Sequence, residues 1–355
     1  MGGLGLVRRP QIVVLTVLLV AAACGDDDGG SSVETTTQSP PPTTVASPDV
    51  GPVLVGLVIH AEGFRMETTN QDQYRIHRDG LAAVADAAER NGAVLQFDLS
   101  PEFIEAHETW GDDFIGRLVA AGHGVGFHAD AGGDDPPLQA LVARIEEGVE
   151  RLRTLGIEEP SVSGICSRTP WVEAAVIAGV GVSSGAVEYC LTAVDEPLLP
   201  PGKADVAACP NPSACHGNVF DDLEERLYPL RAASARRWVR NDPWGPLLIL
   251  IGESASSIDC LSDGATGGSG CRLDRADIDL FLDQIAAYEA ARTKEEPATL
   301  VMSWSIGSLP DAEVADALFR SVAEVIEPGV VEWATVAEMA SAFPVPWDRA
   351  GTGLP

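Results

Sequence analysis

Seven consecutive apolar or small residues, Val53-Leu54-Val55-Gly56-Leu57-Val58-Ile59, fix the kind of sheet this chain can build. An unbroken run of that length suits a strand covered on both faces, as in a parallel sheet flanked by helices. The rest of the chain keeps this rhythm. A helical pattern from Ile76 to Arg90 stops at Asn91-Gly92, and Ala93–Phe97 reads as the next strand. Phe114–Ala121 is helical up to Gly122, and Gly124–Phe127 is a third strand. Leu138–Leu155 is an amphipathic helix that ends at Gly156. Strands are expected near Ser161–Cys166 and Val180–Ala186. Residues 190–240 break the alternation and read as an insertion. The rhythm resumes with strands at Leu247–Ile251, Thr299–Trp304 and Val330–Trp333 and helices at Asp277–Arg292, Asp311–Ile326 and Val336–Phe343. Seven or eight strand–helix units without GxGxxG or GxxxxGK[ST] predict a distorted (β/α)7-8 barrel, spanning residues 50–345, rather than a dinucleotide fold.

The N-terminus reads as an address. Arg8 and Arg9 precede an apolar run, Ile12–Ala23, too short to span a bilayer and ordered like an export signal. It closes on Ala21-Ala22-Ala23-Cys24, which resembles a bacterial lipoprotein signal in which the Cys becomes the lipidated first residue. Residues 1–23 are then a signal peptide, Cys24 a lipid anchor, and the protein sits on the outer face of the cell membrane. The Asp-, Thr- and Pro-rich stretch 24–49 cannot bury a core and reads as a disordered tether of roughly 80 Å when stretched. The other reading is a plain secreted protein. Residues 346–355 form a tail.

Six further cysteines suit an exported chain: Cys166, Cys190, Cys209, Cys215, Cys260 and Cys271. Six allow 15 pairings. Pairing of sequence neighbours gives Cys166–Cys190, Cys209–Cys215 and Cys260–Cys271. A zinc cluster is the rival, though no CxxC spacing occurs. The formal charge of −30 excludes nucleic acid as a partner, since phosphates need clustered cations. It also excludes docking on anionic lipid through a basic face.

In a parallel barrel, chemistry belongs at the C-terminal strand ends. The first strand ends Ile59-His60-Ala61-Glu62, the second Phe97-Asp98, and the third Phe127-His128-Ala129-Asp130. Residues two apart leave a strand on one face. His60, Glu62, His128 and Asp130 are thus expected to converge, and a borderline divalent metal such as zinc takes this mix of imidazole and carboxylate. Asp98 reads more plainly as a helix cap. His77 and His107 read as exposed, and nothing in the sequence pairs with His216. Trp171, Trp304 and Trp333 lie near strand ends, where aromatic faces stack on sugars or simply fill the core. Arg168 is able to orient a catalytic carboxylate or to serve a structural ion pair. Gly252-Glu253-Ser254-Ala255-Ser256 lacks a nucleophile elbow.

Gly122-His123-Gly124-Val125-Gly126-Phe127-His128 resembles the second motif of the polysaccharide deacetylases. Ile59–Gly63 lies where that family carries Thr-Phe-Asp-Asp-Gly. Ser167-Arg168-Thr169-Pro170-Trp171 is similar to its Arg-x-Pro-Tyr/Trp motif, and Val331–Met339 resembles its closing strand and helix. The resemblance implies a glycoside hydrolase/deacetylase-type barrel that removes acetyl groups from envelope polysaccharide or peptidoglycan with an Asp-His-His metal site. The departures are specific. His128 matches the first metal His, but Gly132 stands at the second. Glu62 falls at the metal-binding Asp and Ala61 at the general base. The site is then either rebuilt, with Glu62 and His128 as ligands and His60 or Asp130 as third ligand or base, or the barrel only binds glycans. A third reading is a glycosidase using Glu62 and Glu253.

Overall fold

Nineteen strands and helices succeed one another in the computed structural model, which describes residues 50–62, 66–264, 271–305 and 310–344. In chain order they are β1 (Val53–Ala61), α1 (Gln71–Arg90), β2 (Gln96–Leu99), α2 (Pro101–Trp110), α3 (Phe114–Ala120), β3 (Gly124–His128), α4 (Leu138–Thr154), β4 (Val162–Ser163), α5 (Trp171–Ile177) and β5 (Val182–Ser183). Then come α6 (Leu223–Arg226), β6 (Leu230–Ala232), β7 (Leu247–Ile249), β8 (Glu253–Ser257), α7 (Arg275–Ala291), β9 (Ala298–Ser305), α8 (Ala312–Ala323), β10 (Val331–Trp333) and α9 (Val336–Ser341). All lie within one compact unit, Ser47–Pro355. The expected signal peptide 1–23, Cys24, the expected tether and the expected tail 346–355 lie outside the described residues. No helix among the described residues is long and apolar enough to cross a membrane.

The strands form one curled sheet in the order β6-β7-β5-β4-β3-β2-β1-β9-β8, with β10 also on β1. Every pairing is parallel except β6 with β7. The fold is thus a distorted, helix-wrapped α/β barrel. β1 forks its neighbours: its first half pairs with β10 and its second half with β2.

Strand alternation sorts the side chains. Val53, Val55, Leu57 and Ile59 face outward into the large core shared with the helices. Leu54 and Val58 face inward, with Val182, Leu248, Leu250 and Val301. Helix α9 enters this inner cluster through Val336 and Met339 and closes the base of the barrel. It starts at a capping box in which Thr335 accepts from Glu338 N and Glu338 accepts from Thr335 N. By the same alternation, Gln96, Asp98, Gly126, His128 and Ser303 face inward, while Phe97, Phe127 and Trp304 face the helices.

The insertion contains mainly short 3-10 turns between Glu188 and Ala214, ahead of the one-turn α6. It is held by Cys166–Cys190, with Cα atoms 4.7 Å apart, and by Cys209–Cys215, with Cα atoms 6.0 Å apart. Cys260–Cys271 staples the segment before α7. The neighbour pairing expected from the sequence is therefore the one present, and the cysteines form no zinc cluster.

Candidate metal centre

The inward rule carries β1 past its end, so His60 and Glu62 both project into the mouth of the barrel. On β3 it places His128 there too. Nε2 of His128 lies 2.7 Å from Oε2 of Glu62. The rings of His60 and His128 are 4.8 Å apart, tilted by 41°. One donor atom from each of the three residues fits within 4.8 Å of the others.

His128 is fixed from behind. Its Nδ1 is 2.9 Å from Oγ of Ser163 on β4. A hydrogen bond on one ring nitrogen decides which nitrogen faces the site. Gly164 comes next in the chain with φ +63, and a Cβ there would come within 2.7 Å of the His128 ring. Only glycine combines that left-handed backbone with so close an approach.

Electrostatics describe the metal-free state. Burial penalises a charge on His128, but the Glu62 carboxylate outweighs it and lifts the imidazole to about 9. Burial would raise Glu62, yet the charge and hydrogen bond of His128 draw it down to about 2. His60 is lowered to about 4, first by burial and then by the neighbouring His128 charge. At neutral pH the centre is therefore a neutral His60 beside a His128–Glu62 ion pair.

The donor set fits a divalent cation. Two imidazoles and one carboxylate are ligands that zinc accepts, and three protein ligands leave a position open. The proton shared by His128 and Glu62 stands where the cation would go.

Several expected site residues are elsewhere. Asp130 lines the same cavity but is exposed at its rim, outside the three-residue cluster, with φ +43. Arg168 does not reach the centre. It pairs with Asp135 at 2.6 Å and donates to the carbonyl of Cys209, clamping the insertion to the loop after β3. Trp171 and Trp304 are fully buried, so neither offers a face to a sugar. Trp171 packs edge-on against Trp238, and Trp304 faces the helix layer. Trp333 packs on Phe319 and pairs in register with Val55, five residues before His60 at the closed end of the barrel. Glu253, the second carboxylate of the glycosidase reading, is buried and bonded to Arg226, Asn218 and Tyr288, away from the cavity.

Asp98 is not a helix cap; Ser100 caps α2. Asp98 is buried inside the barrel and accepts from Gln96 at 2.9 Å and Ser184 at 2.5 Å. His107 is buried against Tyr74, and His77 pairs with the buried Glu67 at 2.5 Å.

The cavity holds about 520 Å³. Beside His60, Glu62 and His128 it is lined by small residues, Ser163, Ser184, Ser254, Ser257 and Ser303 among them, and by His216 of the insertion. Sequence patterns leave His216 unassigned. Its one signal is its position directly after Cys215, at the end of a disulfide loop.

Gly132 stands where the sequence resemblance places a second metal His. A Cβ at this position would collide with Pro212, which belongs to the Cys209–Cys215 loop. The space beside Gly132 is filled by the insertion, and no side chain from position 132 can enter.

No family model matches this chain, and no curated protein does. Solved structures do. A 4-alpha-glucanotransferase from Thermococcus litoralis aligns with TM-score 0.50 at 11% identity over 82% of this chain, which spans only 40% of that enzyme. A probable polysaccharide deacetylase from Pseudomonas aeruginosa PAO1 aligns with TM-score 0.50 at 13% identity, covering 86% of this chain and 93% of that one. A putative polysaccharide deacetylase from Mycobacterium smegmatis aligns at 15% identity with TM-score 0.48, covering 84% and 92%. The chain shares its β/α barrel fold with the first two of these structures at low sequence identity.

Proposed function

We propose that this protein is a metal-dependent hydrolase that removes acetyl groups from cell-envelope carbohydrate, polysaccharide or peptidoglycan, on the outer face of the membrane. The observation that carries this reading is the convergence of His60, Glu62 and His128 within 4.8 Å at the mouth of a deacetylase-type barrel. A divalent cation there, zinc by the donor set, would polarise the acetyl carbonyl and ease deprotonation of water. The protein's own part is to present Glu62 and the two imidazoles to the cation, His128 giving up the proton it shares with Glu62 and Ser163 orienting its ring, and to admit the sugar to a cavity rich in hydroxyl groups.

The second reading is a barrel that binds glycan without turnover. It draws support from Ala61, which stands where the resemblance expects a carboxylate base. Metal content and turnover separate the two. Purified protein should take up one zinc ion, lose it to a chelator, and release acetate from acetylated envelope glycan only when loaded. Zinc uptake without acetate release favours the binding protein, and failure to take up zinc overturns the metal site.

The anchor is part of the same proposal. The leader before Cys24 and the three disulfides suit an exported lipoprotein. Replacing Cys24 with Ser should move the protein from the membrane fraction to the soluble one; unchanged fractionation overturns the anchor.

A further inference from the structure

We propose that His216, carried into the cavity by the disulfide-closed loop Cys209–Cys215, is the residue that moves the proton in this hydrolysis. The inference deepens the hydrolase reading and rests on it.

The geometry of the loop carries the argument. His216 lines the cavity that holds His60, Glu62 and His128. Its Nδ1 lies 3.0 Å from the carbonyl oxygen of Ala255 on β8. A carbonyl only accepts, so Nδ1 carries the hydrogen, and the neutral ring keeps its lone pair on Nε2. The residues on either side of His216 are pinned. The carbonyl of Cys215 accepts from Tyr189 N at 2.9 Å, and that of Gly217 from Glu188 N at 2.8 Å. Residues 188–189 are themselves held by the adjacent Cys166–Cys190 bridge. A group fixed this way loses little freedom when the substrate arrives.

His60, Glu62 and His128 form the candidate metal cluster. Glu62 is taken by His128. Asp98 is enclosed by Gln96 and Ser184 and does not line the cavity. Asp130 is exposed at the rim. Among the described residues two cavity-lining ionisable groups, Asp130 and His216, stand outside the ligand cluster, and His216 is the half-buried one, oriented by the Ala255 carbonyl.

The step balances without another reactant. Water oxygen bonds to the acetyl carbon while Nε2 of His216 takes a proton from that water. The tetrahedral adduct then collapses, the bond from carbon to the sugar nitrogen or oxygen breaks, and His216 returns the proton to the leaving atom. Acetate and a free amine or hydroxyl result.

The test compares wild type with His216→Gln and His216→Ala in the full chain loaded with zinc. Three measurements are made: zinc affinity, acetate release, and the ¹⁵N imidazole shift of His216 during titration with acetohydroxamate. In His216→Gln, kcat is expected to fall by roughly 10² to 10⁴, with zinc affinity within about threefold of wild type. Added imidazole should restore part of the rate of His216→Ala. Acetohydroxamate should shift Nε2 of His216. Wild-type turnover in His216→Gln, or an unmoved resonance, overturns the role of His216 and leaves the hydrolase reading intact. Loss of zinc in His216→Gln makes His216 a ligand and also overturns the proton role. A zinc-loaded wild type that releases no acetate overturns the hydrolase reading and the proton role with it.

Discussion

The Glu62 carboxylate and the His128 imidazole share a proton across 2.7 Å, and that proton is the competitor any cation must displace. His60 next to them is neutral, lowered to about 4. The centre thus exchanges one hydrogen ion for one metal ion.

Zinc uptake at neutral pH should therefore release about one proton, from His128, which stays protonated up to about pH 9. Apparent affinity should climb about tenfold per pH unit from pH 6.5 toward 9 and then flatten. Calorimetry in buffers of different ionisation enthalpy reads the proton count. An affinity that is flat across this range would show that His128 is not a ligand.

The metal-free protein should be most stable near pH 6.5. Glu62 is lowered from 4.5 to about 2, so its contribution is present above 4.5 and lost as pH falls through 2. His60 is lowered from 6.5 to about 4, so the unfolded chain binds its proton more readily and stability rises with pH from 4 to 6.5. His128 is raised from 6.5 to about 9, so its contribution is full below 6.5 and lost as pH rises through 9. Thermal melts across this range should show the maximum, and His128→Ala should remove the decline on the alkaline side.

Breaking Cys166–Cys190 by replacing both residues with serine should cost about 3 kcal/mol, the loop-closure value for this separation of 24 residues. Denaturant unfolding measures it. Peptide mapping without reductant should recover three linked pairs, all between sequence neighbours.

Trp171 and Trp304 should behave as core residues. Replacing either with alanine should cost about 3–5 kcal/mol of stability. In the more conservative Trp304→Phe, glycan affinity should stay at the wild-type value by calorimetry. A stable Trp304→Phe with lost glycan binding would return that side chain to the binding surface.

The barrel is legible because buried parallel strands need apolar runs, and β1 and β9 have them. β8, Glu253–Ser257, escapes a search for such runs because Ser254 and Ser257 face a polar cavity and need not be apolar. Helix α2 leaves a readable sign in Ser100 followed by Pro101, an N-cap with proline at the first turn. Asp98, two residues earlier, looks like the cap from the sequence, yet the β1–β2 register sets it opposite His60 inside the barrel. Period two suffices to bring His60, Glu62 and His128 together. Asp130 escapes it because β3 ends at His128 and the backbone at Asp130 turns left-handed, so alternation no longer aims the side chain. The tryptophans fail for the opposite reason: Trp304 obeys the alternation and lands on the helix side. His216 depends on a loop closed by a disulfide, and no local periodicity reports where such a loop lands.

Helix α9 seals the barrel below the cavity, and Val58 and Val301 belong both to that seal and to the cavity wall. Among the described residues the cavity is closed on the α9 side. A filled floor does not let a polymer be reeled through as through a tunnel, so the proposed substrate would be offered sideways or from a chain end. For the hydrolase proposed above, acetate and the deacetylated strand would leave on the side by which they entered, and the expected pattern on a long glycan is scattered deacetylated units rather than cleared runs.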